Sequence, residues 1–166
     1  MPNPSPLSLT PENVARIPVD ELLDLENQLC FAVYSLSHSF NRAYKVLLKD
    51  FGLTYPQYLV MLVLWEVGAS SVGYIGDRLR LDSGTLTPLL KRMEAAGLVE
   101  RRRAPEDERQ VLVDLTEKGR MMRIPAADVP RTLLCTVGSD DQKLYEMRNA
   151  LLILQQKLNV MADKAR

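Results

Sequence analysis

Histidine occurs once in the 166 residues, at His38, and cysteine only twice, at Cys30 and Cys135. Two thiols so far apart in sequence build neither a disulfide framework nor a four-ligand zinc site. Any chemistry they do is redox chemistry, and no metal or cofactor is expected. His38 sits two helical turns from Cys30, roughly 12 Å along an axis rising about 1.5 Å per residue, which is too far for a Cys–His catalytic pair. A Gly-rich phosphate loop, G-x-S-x-G and H-E-x-x-H are all missing, so hydrolase and NTPase readings have no support. Charge of one sign is missing too: 21 Lys and Arg balance 21 Asp and Glu, and any basic surface is local. The longest apolar run, Tyr58 to Trp65, is far short of the roughly 20 residues that span a bilayer. With neither a basic n-region nor an apolar h-region at the N-terminus, a soluble, cytoplasmic protein without membrane attachment is expected. What is present is material for a core, 46% hydrophobic residues in a length that suits one domain, or one small domain with a helical appendage.

Five of the ten prolines (Pro2, Pro4, Pro6, Pro11 and Pro18) fall in residues 1–19, which read as a flexible arm. Over residues 20–52, Leu22, Leu25, Leu29, Val33, Leu36, Phe40, Ala43 and Leu47 recur in steps of three and four, predicting one long amphipathic helix that ends near Gly52. Thr54, Pro56 and Gln57 form a capping box with proline in the first turn, opening a helix buried all round. Ser71 caps a short helix with Val72, Ile75 and Leu79 inward, and Leu81 to Gly84 make a break. Leu86, Leu89, Leu90 and Met93 then form a stripe that stops at Gly97. Pro88 leaves the start of that helix open between a cap at Ser83 and a start near Thr85. Leu98 to Arg103 and Gln110 to Leu115 read as a hairpin with a charged tip. Residues 120–138 are a linker or helix carrying Cys135, interrupted at Pro125 and Pro130. In residues 139–166, Ser139 and Gln142 suggest a second capping box, and Leu144, Met147, Leu151, Leu154, Leu158 and Met161 follow as a heptad seam. Such a seam needs a cover, either the first helix or a second copy, and a homodimer held by N- and C-terminal helices is the better fit.

Short helix, tight break, second helix and hairpin, all within residues 53–119, together make a winged helix-turn-helix, so the expected fold is mainly α with a small β wing. With the Leu86 stripe inward, Gly84, Pro88, Lys91, Arg92 and Ala95 face out, and Ser83, Thr85 and Thr87 lie at the N-terminal end. From Lys91 to Arg103, Lys91, Arg92, Arg101, Arg102 and Arg103 outnumber Glu94 and Glu100, a stripe suited to the phosphates of double-stranded DNA. Strand alternation allows at most two of the three consecutive arginines to meet DNA, with Arg101 and Arg103 sharing a face. Arg109 at the tip is suited to a minor groove, with Asp107 two residues earlier to orient it. Taken singly, Lys91 and Arg92 are equally a solvated helix face and Arg109 a loop charge. Cys30 lies at the edge of the apolar stripe, where partial burial is expected, with Tyr34 one turn along. Tyr44 and Tyr55 flank the junction of the first two long helices, and their hydroxyls suit hydrogen bonding to a thiolate. Cysteines and tyrosines at such positions are also ordinary core residues.

The stretch DSGTLTPLLKRMEAAGLVERRRAPEDERQVLVDLTEKG, Asp82 to Gly119, resembles the recognition helix and wing of the MarR family, and the Asp107/Arg109 spacing is similar to that family's wing motif. More narrowly, Leu29-Cys30-Phe31-Ala32-Val33-Tyr34 and Leu53-Thr54-Tyr55-Pro56-Gln57-Tyr58-Leu59-Val60-Met61 resemble the OhrR branch, organic-hydroperoxide-sensing repressors of the two-cysteine type. The resemblance implies that Cys30 is the peroxide-reactive thiol, that Tyr44 and Tyr55 of the other subunit support its thiolate, with Tyr34 a weaker candidate, and that Cys135 is the resolving thiol. It implies a non-enzymatic repressor whose reduced dimer binds a palindromic operator and whose inter-subunit disulfide releases it. Two alternatives stand beside it: a MarR-type repressor released by a small aromatic ligand, and a thiol peroxidase, which rapid multi-turnover peroxide consumption would reveal.

Overall fold

The computed structural model describes residues 10–104, 109–138 and 140–164, and the chain divides into two units, Met1–Val46 and Leu47–Arg166. In the first, α1 (Pro11–Val14) and α2 (Val19–Leu23) precede a 3-10 turn (Leu25–Asn27) and α3 (Leu29–Leu47). The expected arm therefore contains a helical turn, capped by Thr10 Oγ1 accepting the Asn13 N–H at 3.3 Å. The single long helix from Asp20 is also broken. Asp24 is extended (φ −67°, ψ 123°) and its carboxylate accepts the Glu26 N–H at 3.1 Å, while the Gln28 amide donates to the Leu22 and Asp24 carbonyls. These side chains satisfy main-chain groups that an uninterrupted helix would have paired, and so compete with it. No residue of α3 is buried, and Leu29, Val33 and Leu36 of its stripe are 60%, 41% and 41% exposed.

The second unit opens with Leu47 and the fully buried Leu48, turns through Lys49–Phe51 and Gly52 (φ 63°), and enters α4 (Tyr55–Val67). Gln57 Oε1 accepts from the Thr54 N–H at 2.8 Å and from its hydroxyl at 3.1 Å, so the expected N-terminal box forms. Burial all round does not hold: Leu62 and Val67 are 41% and 42% exposed. Ser71 Oγ accepts the Tyr74 N–H at 3.1 Å to cap α5 (Val72–Leu79). Asp82, rather than Ser83 or a later residue, caps α6 (Ser83–Ala95), so Pro88 lies inside the helix and has no N–H to give the Gly84 carbonyl. Leu86, Leu89, Leu90 and Met93 are all buried, and Gly97 (φ 67°) turns the chain into the sheet.

That sheet has three antiparallel strands in the order β1-β3-β2: β1 (Ser70–Ser71), β2 (Val99–Arg103) and β3 (Val111–Leu115). Ser70 pairs with Val113, and Val99 to Arg103 pair with Leu115 to Val111. The expected hairpin is present, with a strand the sequence did not announce added at its edge. Met61, Leu64, Ile75, Leu86, Leu90, Met93, Val99 and Val113 interlock α4, α5, α6 and the sheet into one core. Trp65 Nε1 closes it by donating to the Gly119 carbonyl at 2.9 Å. The arrangement is a winged helix-turn-helix.

Beyond the wing, α7 (Glu117–Met121), α8 (Arg123–Ala126) and α9 (Asp128–Val137) follow almost without pause. Pro125 and Pro130 are each the third residue of a helix, where a missing N–H forfeits no bond. Gly138 ends α9, and α10 (Asp141–Lys164) completes the chain. Ser139 lies outside the described residues; the Asp140 carboxylate accepts the Gln142 N–H at 3.0 Å.

Among the described residues, Arg80 is the non-glycine residue with positive φ (55°), at the end of α5. An L-residue there costs about 1–2 kcal/mol, against roughly 0.5–1 kcal/mol of chain entropy for glycine. Arg80→Gly is therefore expected to stabilise the protein by up to about 1 kcal/mol, seen as a higher urea midpoint at unchanged slope. A lower midpoint would mean that the Arg80 side chain contributes a stabilising contact.

Candidate functional site

The N-terminus of α6 is set by one carboxylate. Asp82 Oδ1 accepts the Thr85 N–H and Oδ2 the Thr85 hydroxyl, both at 2.9 Å. The main-chain bond from Thr85, then its hydroxyl, hold the Asp82 carboxyl below the usual carboxylate range. The cap is thus complete above the ordinary Asp range and is lost as pH falls through the lowered value. Ser83, Thr85, Lys91 and Arg92 are exposed and Thr87 is half-buried, the outward face expected once the leucine stripe is buried. The sequence reading missed Asp82 as the cap, although Asp-x-x-Thr was there to be read.

Along β2, Val99, Arg101 and Arg103 lie on one face and Glu100 and Arg102 on the other. Arg103 is exposed, but the Arg101 guanidinium is engaged: Nε and Nη2 donate to Glu94 Oε2 at 2.9 and 2.6 Å, and the Arg101 N–H donates to Oε1 at 3.1 Å. The hydrogen bonds and charge of Arg101 hold the Glu94 carboxyl below its usual range. Thr87, Arg101 and Arg109 come together in a cleft of about 450 Å³ between recognition helix and wing, with Ser71, Leu90 and Gln110. Asp107 lies outside the described residues. Glu94, which sequence reading treated only as a charge, is the residue that joins helix to wing.

Cys30 is the second residue of α3 and Cys135 lies in α9; both are free thiols and both are exposed. The expected partial burial of Cys30 is not found, because α3 buries no residue against a single copy of the chain, and Cys135 is not core filler either. Tyr34 lies one turn from Cys30, with its ring edge-on to His38 at 4.3 Å and 6.4 Å from Phe31. Tyr44 stacks on Phe40 at 6.5 Å. It stands fourteen residues beyond Cys30 on the same helix, about 21 Å along the axis, beyond the reach of a phenol. Tyr55 opens α4, and burial pushes its phenol up, so it keeps its proton and can donate throughout the neutral range. Among the described residues no group of three His, Cys, Asp or Glu is placed to hold a metal ion, and no helix is long and apolar enough to cross a membrane.

A family profile described as transcriptional regulator SarA/Rot matches residues 42–123. The organic hydroperoxide resistance transcriptional regulator of Bacillus subtilis (strain 168) is 46% identical over 137 residues, covering 82% of this chain and 93% of that protein. The chain belongs to the MarR family of transcriptional regulators. The backbone of this MarR-family chain is similar to reduced AbfR bound to DNA (TM-score 0.73, 38% identical, 85% of this chain and 97% of that one). It is also similar to disulfide-formed AbfR, at a TM-score of 0.60 and 37% identity over 86% of this chain and 98% of that one. AbfR comes from Staphylococcus epidermidis. The helix and wing described above are thus those of a MarR-family regulator.

Proposed function

We propose that this protein is a cytoplasmic, peroxide-sensing repressor whose reduced homodimer binds a palindromic operator and releases it when Cys30 is oxidised. The observation that carries the reading is an exposed thiol at Cys30 in a chain similar, over 82% of its length, to an organic hydroperoxide resistance regulator. AbfR, similar to this chain in its reduced, DNA-bound form and in its disulfide form, supports a cycle between a reduced, DNA-bound protein and a disulfide-bonded one. Ser83, Thr85 and Thr87 lie at the end of α6 that enters a major groove, Lys91, Arg92 and Arg103 meet phosphate, and Arg109 reaches the flanking minor groove. Lys91→Ala is expected to weaken all duplexes alike and to make the slope of log affinity on log salt shallower by about 0.9 per phosphate contact, with two contacts in a symmetric dimer.

In the proposed chemistry the Cys30 thiolate attacks one peroxide oxygen. The O–O bond breaks, the alkoxide leaves and takes a proton to become the alcohol, and sulfur is oxidised by two electrons to a sulfenic acid. The Cys135 thiolate of the other subunit then attacks that sulfur; an S–S bond forms and water leaves. Tyr44 is too far along its own helix to support Cys30, which favours support from a second copy, with Tyr55 as a further donor and Tyr34 as a nearby one. The exposed stripe of α3 and the exposed Met147, Leu151, Leu158 and Met161 of α10 are the apolar surface that a dimer covers. The disulfide step is tested by treating the reduced protein with one equivalent of an organic hydroperoxide and mapping peptides without reductant. A cross-linked peptide pair carrying Cys30 and Cys135 supports the cycle, and Cys30 sulfinic acid with Cys135 still free contradicts it.

A second reading rests on a cavity of about 490 Å³ lined by Tyr58, Leu62, Trp65, Glu66 and Arg123, aromatic and polar groups that suit a small aromatic ligand. Such a ligand would release DNA equally well from Cys30→Ser, whereas peroxide would not.

A further inference from the structure

The wing is tied to the recognition helix through one carboxylate. Glu94 stands in the last turn of α6 and Arg101 in the middle of β2, and between them the chain reverses at Gly97. One Glu94 oxygen takes the Arg101 main-chain N–H and the other takes two donors of its guanidinium. A main-chain grip fixes the strand itself, not only a side chain, and because Arg101 pairs with Val113 the grip reaches both strands of the wing. Only 23% of the Arg101 side chain is exposed, against 43% for Arg78 in its pair with Glu66, so solvent screens this pair less than an ordinary surface one. Arg109 stands just before β3, the strand paired with the one that Glu94 grips, and lines the same cleft as Arg101 and Thr87, so the hairpin held by Glu94 also carries the tip arginine beside the helix.

We propose that Glu94 is a positioning residue for DNA binding: it sets the angle between recognition helix and wing, with Arg101 as the other end of the strut and not a phosphate ligand. This rests on the DNA-binding reading above and changes the role that the sequence assigned to Arg101. The sign of the effect is what makes the strut distinctive. Glu94 lies one turn from Lys91 on the helix that meets DNA, where a carboxylate repels phosphate, so removing it ordinarily tightens binding. If the carboxylate instead holds the wing at its working angle, removing it weakens binding although the surface becomes more positive.

The test measures affinity of the reduced full-length protein for a palindromic duplex from the DNA upstream of its own gene, at one fixed salt concentration. Parent, Glu94→Ala, Arg101→Ala and the double variant are compared, with thermal midpoints taken alongside. Glu94→Gln, which keeps an acceptor for the Arg101 N–H while giving up the ion pair, serves as the gentler variant. The strut predicts that each single alanine weakens binding tenfold or more, that the double is no worse than the worse single, and that Glu94→Gln falls between. It also predicts loss of hydroxyl-radical protection at the flanks reached by the wings while the two major-groove half-sites stay protected. Binding by Glu94→Ala as tight as or tighter than the parent's overturns the proposal, as do losses that multiply in the double variant. A parent protein that ignores the duplex overturns the DNA-binding reading itself, and the strut with it.

Discussion

Cys30→Ser is expected to bind operator DNA as tightly as the reduced parent and to remain bound at hydroperoxide concentrations that release the parent completely. The substitution replaces sulfur by oxygen on an exposed side chain of a helix that buries no residue, so its effect on stability should stay within about 0.5 kcal/mol. What it removes is the nucleophile: a serine hydroxyl does not attack a peroxide, and neither sulfenic acid nor disulfide can follow. The loss is therefore all or none in the response and near zero in the basal affinity, a combination that a general folding defect does not produce. Cys135→Ser should separate the two chemical steps. It still consumes one equivalent of peroxide at Cys30 but forms no inter-subunit link, and further peroxide drives Cys30 to acids that dithiothreitol does not reverse. Release from Cys30→Ser by peroxide would show that oxidation acts elsewhere.

Gly119→Ala is the substitution expected to damage the fold most. A Cβ at this position would overlap the Leu98 carbonyl oxygen and stand 3.1 Å from Leu115 Cδ2. The obstacle is backbone, and it is pinned: the Leu98 carbonyl accepts the Thr116 N–H at 3.1 Å and its hydroxyl at 3.2 Å. Gly119 is itself held, its N–H by Thr116 Oγ1 at 3.1 Å and its carbonyl by Trp65 at 2.9 Å. Relief requires α7 to move off the sheet, breaking the joint between α4, the hairpin and the following helices. We expect a loss of at least about 2 kcal/mol, the upper part of the range for overpacking. Urea unfolding of parent and variant measures it, and a midpoint change worth under about 0.5 kcal/mol would show that the close approach is not rigid.

The elements that could be read from sequence are those written in local chemistry. The Leu86, Leu89, Leu90 and Met93 stripe, the Thr54/Gln57 box and the Ser71 cap depend only on residues within two turns of each other, and each appears as expected. The first helix failed because its periodic leucines continue past Asp24 and Gln28, whose side chains turn back on the main chain. β1 is two serines with no alternation to betray a strand, formed only because β3, some forty residues on, offers Val113 and Leu112 as partners. The Glu94–Arg101 grip crosses a turn and depends on where the hairpin folds back, so a charge count over the same residues ranked Arg101 with the phosphate ligands. Cys30 was expected at a half-buried edge, yet the surface that would cover it is not supplied by its own helix. Thiol environment is therefore the least legible part of the site, since in the proposed dimer it belongs to two chains and the sequence describes one.

The most direct test of the redox-repressor account is operator binding followed by fluorescence anisotropy at one fixed salt concentration. The reduced protein is measured first, then after one equivalent of an organic hydroperoxide, then after dithiothreitol. The account predicts tight binding, loss of binding on oxidation and full recovery with the thiol. Binding that is the same in all three conditions would contradict it, and would leave the small-ligand repressor as the reading to pursue.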